Sequence, residues 1–224
     1  MHPLDNLPWY ALTGPQSRFA RGYGRAAAFD PEVSPFVGLA DPADPAAWAD
    51  LAELAGAGTD VLVSGVRVVP GPGWTRVRGL PGVQLVGDGV PGRGDPEIVE
   101  LGLPDVPEIL ELVGLTRPGP FRKRTVEMGR YLGVRRDGRL VAMAGERMRV
   151  DGWTEISAVC TDPAYRGAGL AARLTGAVVD GIRGRGDLPL LHAATGNTDA
   201  IRLYERLGFR FRATVQFETY RYDG

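Results

Sequence analysis

Residues 165–174, YRGAGLAARL, place two glycines and a small residue where a backbone could close on a phosphate. Read from Gly167, the run is G-x-G-x-x-A, the spelling of a dinucleotide-binding turn. Read from Arg166 to Ala171, it is R-x-x-G-x-A, a different phosphate signature. In either case the first turn of a following helix has N–H groups without intrahelical partners and the positive end of the helix dipole, which suits a pyrophosphate. Arg166 adds a fixed cation beside it. An ordinary glycine-containing start to a helix has the same letters. Cys160, the only cysteine, stands just upstream. It could serve as a thiolate nucleophile, but a small strand cysteine is more often packing. With one Cys and two His, a zinc site is not expected, and no G-x-x-x-x-G-K-[ST] run is present.

The elements around the loop decide between its readings. GRYLGVRRDGRLVAMAGERMRVDGWTEISAVCTD is cut by Asp137-Gly138 and Asp151-Gly152, both strong hairpin turns. Three antiparallel strands follow, roughly 130–136, 139–150 and 153–161. The loop comes next, then LAARLTGAVVDGIRG, with Leu170, Leu174, Ala177, Val178 and Ile182 at helical spacing. LPLLHAAT (188–195) reads as a strand. NTDAIRLYERLGF (197–209) reads as a helix opened by Asn197 or Thr198 and closed by Gly208. ATVQFETYRY suggests two closing strands. Before the hairpins, EIVELG reads as a strand and LPDVPEILELVGL as a helix.

A dinucleotide fold needs its first glycine directly after a parallel strand and an acid ending the next one. Here DPAY and Arg166 intervene, Asp187 precedes its strand, and the strands before the loop are antiparallel. The dinucleotide reading fails on context.

Order and spacing of the two motifs, the glycine loop and N-T-D-A-I-R-L-Y-E-R-L-G-F, resemble the GNAT superfamily of N-acetyltransferases over residues 97–224. The resemblance implies an α+β fold: a central, mostly antiparallel sheet with two splayed strands and flanking helices. It implies acetyl-CoA as co-substrate, no metal, and direct transfer of the acetyl group to a primary amine in a ternary complex. The pyrophosphate would rest on the backbone of Arg166, Gly167, Ala168, Gly169, Leu170 and Ala171. The pantetheine arm would pair with Val159, Cys160 and Thr161, and Asn197 would reach the arm or cap the last helix. Tyr204 matches the family's proton donor to the departing thiolate. Glu155 and His192 are both candidates for the general base, His192 standing where some members carry a carboxylate. The acceptor would be a small amine or an amino-acid-like molecule, with a protein N-terminus or lysine as the alternative. O-acyl or longer-chain transfer on the same scaffold stays open. A non-catalytic acyl-CoA sensor is the rival reading, which loss of Tyr204 would leave unaffected.

Residues 1–94 read as a smaller α/β lobe, either a degenerate GNAT-like copy or a lid, with a boundary in GDGVPGRGDP (87–96). Its clearest element is DPAAWADLAELAG (44–56), capped by Asp44 with Pro45 behind it. Composition is that of a globular chain: 44% apolar, 24% charged, formal net charge −1. Lys123 is the only lysine among 26 basic residues, and no dense basic run suggests nucleic acid or an anionic membrane as partner. With one cysteine and no signal-like or spanning stretch, the expected location is the cytoplasm. Pairing of two copies is compatible with the family's variable edges.

Overall fold

The computed structural model describes residues 2–224. Among them, eleven strands form one mixed α/β sheet. In chain order the strands are β1 (Ala20–Tyr23), β2 (Ala26–Phe29), β3 (Phe36–Leu39), β4 (Asp60–Gly65), β5 (Trp74–Val86), β6 (Val99–Leu101), β7 (Tyr131–Arg136), β8 (Arg139–Val150), β9 (Trp153–Thr161), β10 (Leu188–Ala194) and β11 (Arg210–Tyr222). Their spatial order is β1-β2-β3-β4-β11-β5-β10-β9-β8-β7-β6. Only β3–β4 and β9–β10 are parallel. The helices that matter for the site are α1 (Leu7–Leu12), α2 (Pro45–Ala55), α3 (Val106–Thr116), α4 (Leu170–Gly184) and α5 (Thr198–Arg206).

The hairpins fall where the Asp-Gly pairs require them. Arg136 pairs with Arg139 across Asp137 and Gly138, both at positive φ, the geometry that matches the twist of the flanking strands. Val150 pairs with Trp153 across Asp151-Gly152. The second hairpin puts Arg147 of β8 beside Glu155 of β9, which becomes important below.

The C-terminal run is one strand, not the two expected. RFRATVQFETYRY contains no Gly, Pro, Asn or Asp to turn on, so β11 continues for 13 residues with a register shift between Phe211 and Ala213. It pairs with β4 on one side and β5 on the other. β5, from the first half of the chain, thus lies between β11 and β10, in the middle of the sheet. Pro81 sits inside β5, where a central strand normally excludes proline. Its carbonyl accepts from the Thr195 amide on the β10 side. Its nitrogen, on that same edge, cannot return the bond to Thr195, and the ladder with β10 ends at Ala194↔Gly82.

Two faces of the sheet are covered differently. α4 lays Leu174, Val178 and Ile182 on one face against Leu85, Val141 and Leu191. Truncating such a fully buried leucine to alanine costs about 2–5 kcal/mol. α1 and the residues before it cover the other face, with Leu4, Leu7 and Leu12 against Phe29, Met148 and Leu190. α2 packs Trp48 edge-on to Trp74 and Tyr220, with centroids 5.3 and 5.0 Å apart, and α3 closes the far end over Met143 and Cys160. Along β5 the alternation is plain: Val83 and Leu85 belong to the α4 face, and Gln84 reaches the other face, where its amide meets the Leu4 carbonyl.

Candidate active site

β9 and β10 are hydrogen-bonded from Leu188↔Trp153 to Leu191↔Ile156, and then separate. Beyond that rung β10 pairs only with β5 and β9 only with β8. The cause lies in β9. Ala158 takes φ 55°, and one extra residue is accommodated between Ser157 and Cys160 opposite Gly145 and Met143. Such a bulge bends a strand and re-aims its edge. The fork between Ser157–Thr161 and His192–Ala194 opens into a cleft of about 970 Å³.

The glycine loop stands at one end of this cleft. Asp162 accepts from the Ala164 amide and starts a single 3-10 turn. Gly167 and Gly169 then adopt φ 82° and 73°, left-handed values that side chains disfavour. Gly169 is the N-cap of α4 and offers no side-chain cap, so the amides of the first turn are left to another acceptor. Arg166 has no carboxylate partner among the described residues, and it lines the cleft with Gly167, Gly169, Leu170 and Ala171. This is the arrangement a pyrophosphate fits: free amides, a helix N-terminus, a backbone bare of side chains and one unpaired cation.

α5 lies on the same side. Asn197 caps it, its Oδ1 accepting from the Ala200 amide at 3.3 Å, and it also borders the cleft. Tyr204 is the buried residue of this helix, packed edge-on to Phe209 at 5.9 Å. It faces the cleft, and burial pushes its phenol up to about 12. Val159, Cys160 and Thr161 line the opposite bank. Burial likewise pushes the Cys160 thiol up to about 11, which keeps it an un-ionised thiol at neutral pH.

Glu155 and His192 flank the point where the fork opens, on the face covered by α1. Glu155 accepts two bonds from Arg147, Nε to Oε2 at 2.8 Å and Nη2 to Oε1 at 2.6 Å, and a third from the Met148 amide. Burial works to raise its carboxyl, but the Arg147 charge and hydrogen bonds outweigh that and hold it well below the ordinary carboxylate range. His192 is bonded at both ring nitrogens, and its tautomer follows from its neighbours. Gln84 Oε1 accepts from Arg212 Nη1 at 2.8 Å, and Gln84 Nε2 donates to the Leu4 carbonyl at 2.8 Å. A guanidinium only donates and a carbonyl only accepts, so the amide orientation is fixed. The remaining Nε2 proton of Gln84 points at His192 Nε2, 3.0 Å away. That nitrogen must accept. The ring proton is therefore on Nδ1, donated to Glu155 Oε1 at 2.7 Å.

Every residue singled out in the sequence thus falls on the fork, the glycine loop or the two flanking helices. The chain has 43% identity to a GNAT-family protein from Novosphingobium aromaticivorans DSM 12444, each covered over 100% of its length, with a TM-score of 0.92. The chain belongs to the GNAT family of acetyltransferases. The family model described as FR47-like protein also matches residues 131–221. The GCN5-related N-acetyltransferase of Kribbella flavida shares the fold at 20% identity, with 93% of this chain and 91% of that one covered and a TM-score of 0.61. No functionally curated protein matches the chain. GNAT folds use acetyl-CoA, and among the described residues no cluster of His, Cys, Asp and Glu could hold a metal ion. No described helix is long and apolar enough to cross a membrane.

The GNAT motifs did not reveal the groups that surround Glu155 and His192. Gln84 and Phe217 reach His192 from β5 and β11, Phe217 stacking edge-on to it at 5.5 Å, and Phe36 of β3 lies under the Arg147 guanidinium. Only Arg147 left a signal: an arginine and a glutamate flanking a two-residue turn, at positions the hairpin brings together.

Proposed function

We propose that this GNAT protein transfers the acetyl group of acetyl-CoA directly to a primary amine on a small, amino-acid-like acceptor, both substrates being bound at once. The observation that carries this reading is the fork. A single cleft joins the glycine loop and Tyr204 to the wall that holds His192, so a thioester laid along β9 would meet an amine from the other face. Acetyl-CoA supplies the acyl group as a thioester; the chain's own residues bind, orient and move protons.

The backbone from Gly167 to Ala171 and the Arg166 guanidinium hold the pyrophosphate; the Arg166 amide itself donates to the Pro163 carbonyl at 3.4 Å. Val159, Cys160 and Thr161 offer the β9 edge that β10 has left, and Asn197 stands beside it. In the reaction the acceptor nitrogen bonds to the acetyl carbon and the carbon–sulfur bond breaks. The ammonium form of the acceptor must lose one proton before attack and one after it. Of the two candidate bases, Glu155 is the weaker, because Arg147 holds it ionised. His192 has the usable lone pair, at Nε2, and takes a proton there by exchanging its contact with Gln84, directly or through water. Glu155 keeps the ring oriented and stabilises the imidazolium, as a buried carboxylate does in a His–acid pair.

Tyr204 gives its proton to the leaving sulfur. A thiolate in free solution, with a pKa of about 8.5, would be too weak a base to take it. Where water is excluded the departing thiolate is a stronger base than in free solution, because burial disfavours the charged form. Release of free thiol tests the reading, with Tyr204→Phe measured beside the wild type. The expected result is a loss of turnover of about 10²–10⁴-fold with acetyl-CoA affinity kept. Unchanged turnover in the variant would remove Tyr204 from the mechanism.

A further inference from the structure

The wall of the cleft facing the fork is built by the first half of the chain and β11. In β5, Arg78 and Leu80 stand on the same face as Gln84, and they pair with Thr219 and Phe217 of β11. Leu62 of β4 pairs with Thr219, and Phe36 of β3 with Leu62. All six side chains border the cleft. Leu80 is 53% exposed, an apolar side chain open to whatever enters.

Charge on this wall is one-sided. The charged residues bordering the cleft are Arg78, Arg117, Arg147, Arg166, Arg206 and a single acid, Asp199, which lies in the first turn of α5 on the glycine-loop side. Arg147 is neutralised by Glu155. Arg78 forms no such pair among the described residues, although the Asp60 carboxylate, itself bonded to Arg221, feels its charge. Its Nε donates to Thr219 Oγ1 at 3.1 Å, and no carboxylate pairs with its guanidinium. Its neighbours on the same strands are paired, Arg76 with Glu218 and Arg221 with Asp60. A guanidinium held at Nε by a threonine keeps its two terminal nitrogens for a planar anion. Among the described residues no acid of this wall borders the cleft, so a polyamine, an aminoglycoside or a lysine-rich segment would face the Arg78 charge there with no carboxylate to bind its own second cation.

We infer that the acceptor amine also carries a carboxylate, which Arg78 binds, with an apolar side chain lying on Phe36, Leu62, Leu80 and Phe217. This inference rests on the acetyl-transfer reading and names its substrate class: a free amino acid with an apolar side chain. A cation in the acceptor's ammonium group and an anion in its carboxylate leave the bound molecule neutral overall, and the Arg78 charge is the one that is answered.

Thiol release with acetyl-CoA and matched acceptors tests it: L-leucine, L-leucinamide and spermidine, each with wild type, Arg78→Ala and Arg78→Lys. In the wild type kcat/KM for L-leucine should exceed that for L-leucinamide by about tenfold or more, the value of a charge-assisted bond. In Arg78→Ala that preference should vanish through KM, with kcat and acetyl-CoA affinity kept, and Arg78→Lys should restore part of it. Equal use of acid and amide, a preference for spermidine, or a preference unchanged by Arg78→Ala overturns the inference while the transfer reading stands. Turnover of none of these amines by a protein that binds acetyl-CoA overturns both.

Discussion

Replacing Arg147 with methionine isolates the strongest electrostatic feature of the site. The Arg147 side chain is 10% exposed and that of Glu155 1% exposed, so neither charge has water to fall back on. Methionine keeps packing against Phe36, over whose ring the Arg147 guanidinium now sits at 4.9 Å. Removing one partner of a buried pair leaves an uncompensated charge and costs about 3–5 kcal/mol. With a urea slope of about 3 kcal/mol/M, the midpoint should fall by about 1–1.7 M at pH 7. The pH dependence gives the sign. In the wild type the Glu155 carboxyl is held below its ordinary value of 4.5. Its contribution is therefore fully present above that value and is lost only as pH falls below it. In Arg147→Met the lowering by Arg147 is lost. Burial, the largest single influence, moves the carboxyl up against the bonds from His192 and the Met148 amide that remain, so much of the stability that Glu155 gives the wild type at neutral pH is gone. The deficit relative to wild type should be largest near pH 7 and narrow as pH falls through about 4.5. Arg147→Met/Glu155→Gln retains an acceptor for His192 Nδ1–H and should recover most of the loss. This double variant carries the test if the single one does not fold. A deficit below about 1 kcal/mol, the scale of an exposed pair, or one independent of pH, would refute the description of a desolvated ion pair.

Further predictions concern protons and sulfur. The chain has two histidines, His2 and His192, so ring ¹⁵N spectra of His2→Ala report His192 alone. They should show a protonated Nδ1 and a lone-pair Nε2 at neutral pH, and Gln84→Glu, which puts an acceptor at Nε2 while Glu155 still accepts from Nδ1–H, should add a proton at Nε2. A protonated Nε2 in the parent would contradict the hydrogen-bond assignment. Cys160→Ala should keep turnover within a few fold, because a thiol at about 11 is no nucleophile at neutral pH; trapping of an acetylated Cys160 would reverse that reading.

The second half of the chain was legible because its signals are local. The Asp-Gly pairs fix the turns, Asn197 and Gly208 bound α5, and Leu174, Val178 and Ile182 mark the buried side of α4. The first half was not. β1, β2 and β3 are each four residues long, and AAAF or FVGL carries no period to read. β5 is interrupted on paper by Gly79, Pro81 and Gly82, and only its neighbours show why proline fits. The glycine loop, Tyr204, Glu155 and His192 stand out as candidates through motif order, which short-range sequence preserves. Gln84, Arg78 and Phe217 were not, since their roles come from pairings between β5, β10 and β11 across more than a hundred residues. The bulge at Ala158 is also silent in sequence, although it opens the fork.

The central claim is that the loop at Arg166–Ala171 holds the pyrophosphate of acetyl-CoA. Its most direct test is calorimetric titration of the full chain with acetyl-CoA, beside Gly169→Asp and Arg166→Ala. Gly169 has φ 73° and open space where a Cβ would stand, so aspartate there introduces a negative charge and a strained backbone at the helix start. The wild type should bind, Arg166→Ala should bind more weakly and Gly169→Asp should not bind. Equal binding by all three proteins would contradict it.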